Sequence, residues 1–81
     1  MNVYKFIPHY DYDGYIIIAA NNPLEAIKII SANELYSHIY YHCHCSWEKI
    51  EYLSYNNNVP CVLLEYLINL RTTTFHKSLY H

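Results

Sequence analysis

The sequence predicts an α+β domain: a small, mainly antiparallel sheet, made of an N-terminal hairpin plus a C-terminal strand, packed with two or three helices. Three observations predict it. Strand-like runs stand at both ends, Val3–Ile7 with Tyr15–Ala20 and Thr72–Tyr80. A capped helical pattern opens between them at Asn22-Pro23-Leu24-Glu25. The chain has 81 residues, 53% hydrophobic and 15% charged, which suits a single packed core and excludes a disordered chain, a Rossmann unit or a barrel.

The elements follow in order. Val3–Ile7 reads as a strand stopped by Pro8, which cannot donate to a ladder. His9–Asp13 is turn-rich, and Asp13-Gly14 signals the hairpin turn. Gly14 is the one Gly of the chain, so a positive φ is expected there. Ile16-Ile17-Ile18 in Tyr15–Ala20 predicts a central strand with both faces largely covered. Asn22 as N-cap, Pro23 at the first helical position and Glu25 at N3 start a helix that ends near Ser31–Asn33. Leu24, Ile27 and Ile30 form its expected buried stripe, with Glu25 and Lys28 outward.

Ser37–Cys45 alternates poorly and reads as a short strand or irregular segment. Ser46–Leu53 places Trp47, Ile50 and Leu53 three apart, which predicts a short helix capped by Ser46. Asn56-Asn57-Asn58 is a loop. Pro60–Arg71 reads as a second long helix, with Leu63, Leu67 and Leu70 on one face, Leu64 widening it, and Glu65 and Asn69 on the wet side. Thr72–Tyr80 alternates with period two. Phe75, Lys77 and Leu79 share one face, Thr74, His76, Ser78 and Tyr80 the other.

Charge bounds the function. Five Lys and Arg with a net charge of −2 make direct nucleic-acid binding unfavourable, since a phosphate groove uses six or more cationic contacts. Seven Asp and Glu are too few to imitate DNA. No apolar run reaches the roughly 18–20 residues of a membrane helix, and Met1–Lys5 lacks the apolar region of a secretory leader. Three Cys, an odd number, fit a reducing compartment. Six His make contacts near pH 6 sensitive to protonation. Eleven Tyr exceed what so small a core hides, so some rings are expected on the surface, either scattered over strand faces or gathered into a recognition surface.

Chemistry-bearing motifs are few. His42-Cys43-His44-Cys45 has zinc-type ligands, weak candidates because strand alternation sends His42 and His44 one way and Cys43 and Cys45 the other. Such a site would have to be completed by His38 or Cys61, or across a dimer. No metal or other cofactor is therefore expected. Asp11-Tyr12-Asp13-Gly14 lacks the remaining ligands of a calcium loop, a single Gly allows no phosphate-binding glycine loop, and no nucleophile has an evident base and oxyanion site. The expectation is a binding protein, not an enzyme.

The pattern Met1-Asn2, Tyr4-Lys5, Tyr12-Asp13-Gly14, Ala19-Ala20 and Glu25-Ala26-Ile27-Lys28 resembles the small anti-CRISPR family that inhibits type II-C CRISPR nucleases by binding their HNH nuclease domain. Trp47, Leu64-Glu65, Thr72 and Ser78 fall in register with the same family. The resemblance implies a phage protein acting in the host bacterial cytoplasm on a CRISPR effector nuclease. It places the contact on the last strand: Ser78 corresponds to the family's Ser, while Leu79 stands where that family has Cys and Tyr80 where it has Trp. Together with the free polar face expected from alternation, the partner-binding residues are Asp13, His76, Ser78, Leu79 and Tyr80. The Leu79 departure leaves room for another target, an RNA-targeting CRISPR effector or its guide-RNA loading, or a different host protein.

Overall fold

The computed structural model describes residues 1–56 and 58–71 in full and the backbone of Thr74–Leu79. Seven elements run β1 (Asn2–Pro8), β2 (Tyr12–Ala20), α1 (Pro23–Ala32), α2 (Glu34–His42), β3 (Cys45–Ser54), β4 (Cys61–Asn69) and β5 (Thr74–Leu79). The strands form one five-stranded sheet in the order β3-β1-β2-β4-β5, and every neighbouring pair is antiparallel. The fold is α+β, as the sequence predicts.

Both helices lie on one face. Tyr4 and Phe6 of β1, Ile16, Ile18 and Ala20 of β2 and Leu67 of β4 pack with Ala26 and Ile30 of α1, Tyr36 and Ile39 of α2, and Cys43. These sheet residues belong to one alternation set, because Tyr4 opposes Ile18, Phe6 opposes Ile16, and cross-strand partners share a face. Among the described residues no helix covers the opposite face.

The hairpin forms, but its turn is not Asp13-Gly14. Pro8 ends β1, His9–Asp11 make the connection, and Asp13 and Gly14 already lie in β2, opposite Ile68 and Leu67. Asp11 takes the left-handed conformation itself (φ 66°), which a short polar side chain tolerates. Gly14 does have the expected positive φ, 109°. The reason is a close approach: a Cβ there would stand 1.9 Å from the Tyr66 carbonyl oxygen.

α1 starts as predicted. The Asn22 side chain accepts from Glu25 N–H at 2.9 Å, and Glu25 reaches back to Asn21, whose backbone N–H it accepts at 2.8 Å. Its buried face is turned from the predicted one: Ala26 and Ile30 are fully buried, whereas Leu24 is 65% exposed.

Three middle segments differ from expectation. Residues 37–45, read as a strand or irregular segment, mostly belong to α2, where Tyr36, Ile39, Tyr40 and Cys43 follow helical spacing into the core. Ser46–Leu53, read as a helix, is in β3. Pro60–Arg71, read as a helix, is β4. The two strands share a cause. Between Ile17 and Ile18 the β4 partners pass from Leu64 to Val62, leaving Leu63 as an extra residue. Leu63, Leu67 and Leu70, read as one helical face, are the extra residue of this bulge, a core residue and an exposed residue beyond β4. In β3 the register jumps from Lys49 opposite Tyr4 to Ser54 opposite Asn2, which breaks alternation in the same way. Glu65, expected on a wet face, is 7% exposed and accepts a hydrogen bond from the Tyr36 hydroxyl of α2. That bond gives the buried carboxylate the partner it requires.

Candidate functional site

The uncovered sheet face is built by the alternation set opposite the core. Tyr15 and Ile17 of β2 oppose Tyr66 and Leu64 of β4, and Asp13 opposes Ile68. Tyr15 and Tyr66 stack with ring centroids 5.6 Å apart and planes within 20°. Lys5 of β1 opposes Ile17 and lays its Nζ 4.7 Å from the Tyr15 ring centroid, a cation–π contact. These side chains are half-buried and Asp13 is exposed. The result is an aromatic and aliphatic strip across the centre of the sheet, with a cation at one side and a carboxylate at the end.

At one end this face is closed. Val3 and Ala19, which pair with each other, are 3% and 0% exposed. The connection from Ser54, opposite Asn2, to Cys61, opposite Ala19, crosses the same ends of β1 and β2. At the other end, the β1–β2 and β4–β5 connections lock together: Leu70 N–H donates to the Asp11 carbonyl at 2.8 Å, and Arg71 Nε lies 3.0 Å from Asp11 Oδ1.

Of the predicted partner-binding residues, Asp13 lies in β2 with its Oδ1 accepting from Gly14 N–H. The side chains of His76, Ser78 and Leu79, and all of Tyr80, lie outside the described residues. The backbone register of β5 sets His76 opposite Leu67, Ser78 opposite Glu65, Phe75 opposite Ile68 and Leu79 opposite Leu64. Positions 76 and 78 therefore fall on the alternation set of the core-facing Leu67 and Glu65, and positions 75 and 79 on that of the uncovered strip. Asp13 and position 75 flank Ile68 on either side, so the structure brings Asp13 into the same three-strand region as β5.

The His42–Cys45 run is dispersed. His42 ends α2 with its ring tilted against that of His38, centroids 4.8 Å apart, Cys43 is buried as the helix C-cap, His44 meets Tyr10 edge-on at 5.0 Å, and Cys45 begins β3. Burial is the main cause that pushes both the Cys43 and Cys45 thiols above the ordinary range, helped at Cys43 by the Asp11 carboxylate and at Cys45 by Cys43. A thiol raised in this way carries less thiolate, the nucleophilic form, at neutral pH. Among the described residues no three His, Cys, Asp or Glu side chains come together as a metal site. No helix among them is long and apolar enough to cross a membrane.

Sequence reasoning missed the Lys5–Tyr15–Tyr66 strip. Its only signal was the excess of Tyr; their pairing depended on β4 being a strand. No protein-family model matches the chain, and neither a curated protein nor a solved structure matches it.

Proposed function

We propose that the chain is a stoichiometric protein inhibitor that binds a CRISPR effector nuclease at or near its nuclease domain and blocks its activity. The observation that supports a protein-binding role is the uncovered sheet face, where Tyr15, Tyr66, Ile17, Leu64 and Ile68 lie together without a helix over them. Rigid aromatic anchors of this kind dominate protein interfaces. A standard interface takes about 800 Å² from each partner, a fraction of the 5247 Å² that the chain exposes in all. The target class rests on the anti-CRISPR resemblance in the N-terminal third. Leu79 cannot make the hydrogen bond of the family's Cys, and the second reading is therefore a different nuclease, such as an RNA-targeting effector.

The test is titration of the purified protein into cleavage reactions of a type II-C nuclease and, separately, of an RNA-targeting effector. Inhibition of one of them should rise with molar ratio and saturate near equivalence. Tyr15→Ser and Tyr66→Ser, checked for folding by circular dichroism, should each weaken binding by about thirtyfold, the effect of roughly 2 kcal/mol. Complete inhibition by a small fraction of an equivalent would reveal an enzyme instead, and unchanged binding by both folded variants would remove this face from the reading. RNA binding with steep salt dependence would point to a nucleic-acid ligand.

A further inference from the structure

On the helix side of the sheet, where α1 meets β1 and β3, Tyr4, Pro23, Ile27, Trp47 and Lys49 line a cavity of about 320 Å³. The register builds it. Phe6 opposes Trp47 and Tyr4 opposes Lys49, so Trp47 and Lys49 rise from β3 on the face that carries Tyr4. Pro23 and Ile27, one turn apart at the start of α1, form the facing wall. The walls are held in place: the Trp47 ring packs 4.8 Å from Phe6, and the Tyr4 hydroxyl accepts from Asn2 Nδ2 at 3.3 Å.

The pocket opens to solvent at Pro23 and Lys49, both exposed, and its volume matches the lower end of ligand-site volumes. Its lining is aromatic and aliphatic except for Lys49. The Lys49 ammonium has one carboxylate neighbour, Glu51 at 3.7 Å, and both side chains are exposed. Such pairs are weak and exchange readily with another anion. An apolar box with one cation at its rim selects a ligand with an apolar body and one negative charge.

We propose that this cavity binds a small monocarboxylate with an aromatic or branched aliphatic body, the carboxylate on Lys49 Nζ and the body between Trp47 and Ile27. Trp47 is the only Trp of the chain, so its fluorescence and its indole N–H resonance report on the cavity directly. The probes are 3-phenylpropionate and the isosteric 3-phenylpropylamine, added to the full chain. Phenylpropionate should shift the Trp47 signals saturably, with an affinity about tenfold above that of the amine, a difference of about 1.4 kcal/mol. Lys49→Gln, at an exposed position, should erase this preference. Ile27→Phe should fill the cavity and abolish the response with the far-ultraviolet circular dichroism unchanged; where that variant does not fold, Lys49→Gln decides. No saturable response in the parent, equal responses to acid and amine, or a preference surviving Lys49→Gln would each overturn the proposal. No nuclease enters the experiment, so its outcome is independent of the inhibitory function.

Discussion

Gly14 shows most directly how one residue governs this fold. A central strand normally disfavours Gly, which loses backbone entropy and packs no side chain. Here β4 comes so close that any Cβ would overlap the Tyr66 carbonyl, and φ is 109°. Gly14→Ala therefore meets both a steric block and an unfavourable backbone region. We expect it to lower stability by at least about 2 kcal/mol, read as a drop in Tm. An unchanged Tm would mean that β2 and β4 are not in contact at this point. Because Gly14 neighbours Tyr15, the same close approach brings the Tyr15 and Tyr66 rings into their stack.

At the scale of elements, Asn33 joins the two helices. Its backbone N–H donates to the Ile30 carbonyl at 3.3 Å, closing α1, and its carbonyl accepts from Ser37 N–H at 2.8 Å, opening α2. Its side chain accepts from Tyr36 N–H at 3.0 Å. One extended residue (φ −102°, ψ 129°) thus serves as C-cap and N-cap, and the chain turns without a separate loop. Asn33→Ala removes only the side-chain bond and should cost about 1 kcal/mol, whereas Asn33→Asp, which keeps the acceptor, should cost much less. Equal melting of both variants and the parent would show that the cap contributes nothing. The strands carry the opposite lesson. β3 and β4 have sequences compatible with a helix, and pairing with β1 and β2 decides their state.

At the scale of the whole molecule, the sheet is a single body although paired strands in it, β1 with β3 and β2 with β4, are far apart in sequence. β1 lies between β2 and β3, and the connection from β2 to β3 is the helical layer itself. Trp47 on edge strand β3 packs on Phe6, which lies in the common core with Tyr36 and Leu67. Removing any layer would expose that core, so unfolding should be all-or-none. Trp47 fluorescence and far-ultraviolet circular dichroism should then give coincident denaturation curves. An earlier Trp47 transition would show β3 opening as a separate unit.

The α+β class, the N-terminal pair of strands, the start of α1 at Asn22 and Pro23, and the terminal strand are all legible in the residue order. Each carries a local signal: a run of Ile, a cap with proline behind it, or clean period-two alternation. The sequence also bounded function through low charge and abundant Tyr. Tertiary structure alone decided the states of α2, β3 and β4. Tyr favours strands weakly and yielded to helical packing in α2, while the register shifts in β3 and β4 interrupted the alternation by which strands are read. The candidate face depended on the same decision. Tyr15 and Tyr66 lie 51 positions apart in sequence and meet only because β4 pairs with β2 in this register. Long-range pairing of this kind leaves no periodicity in either segment, so the stacked rings became legible only in the folded chain.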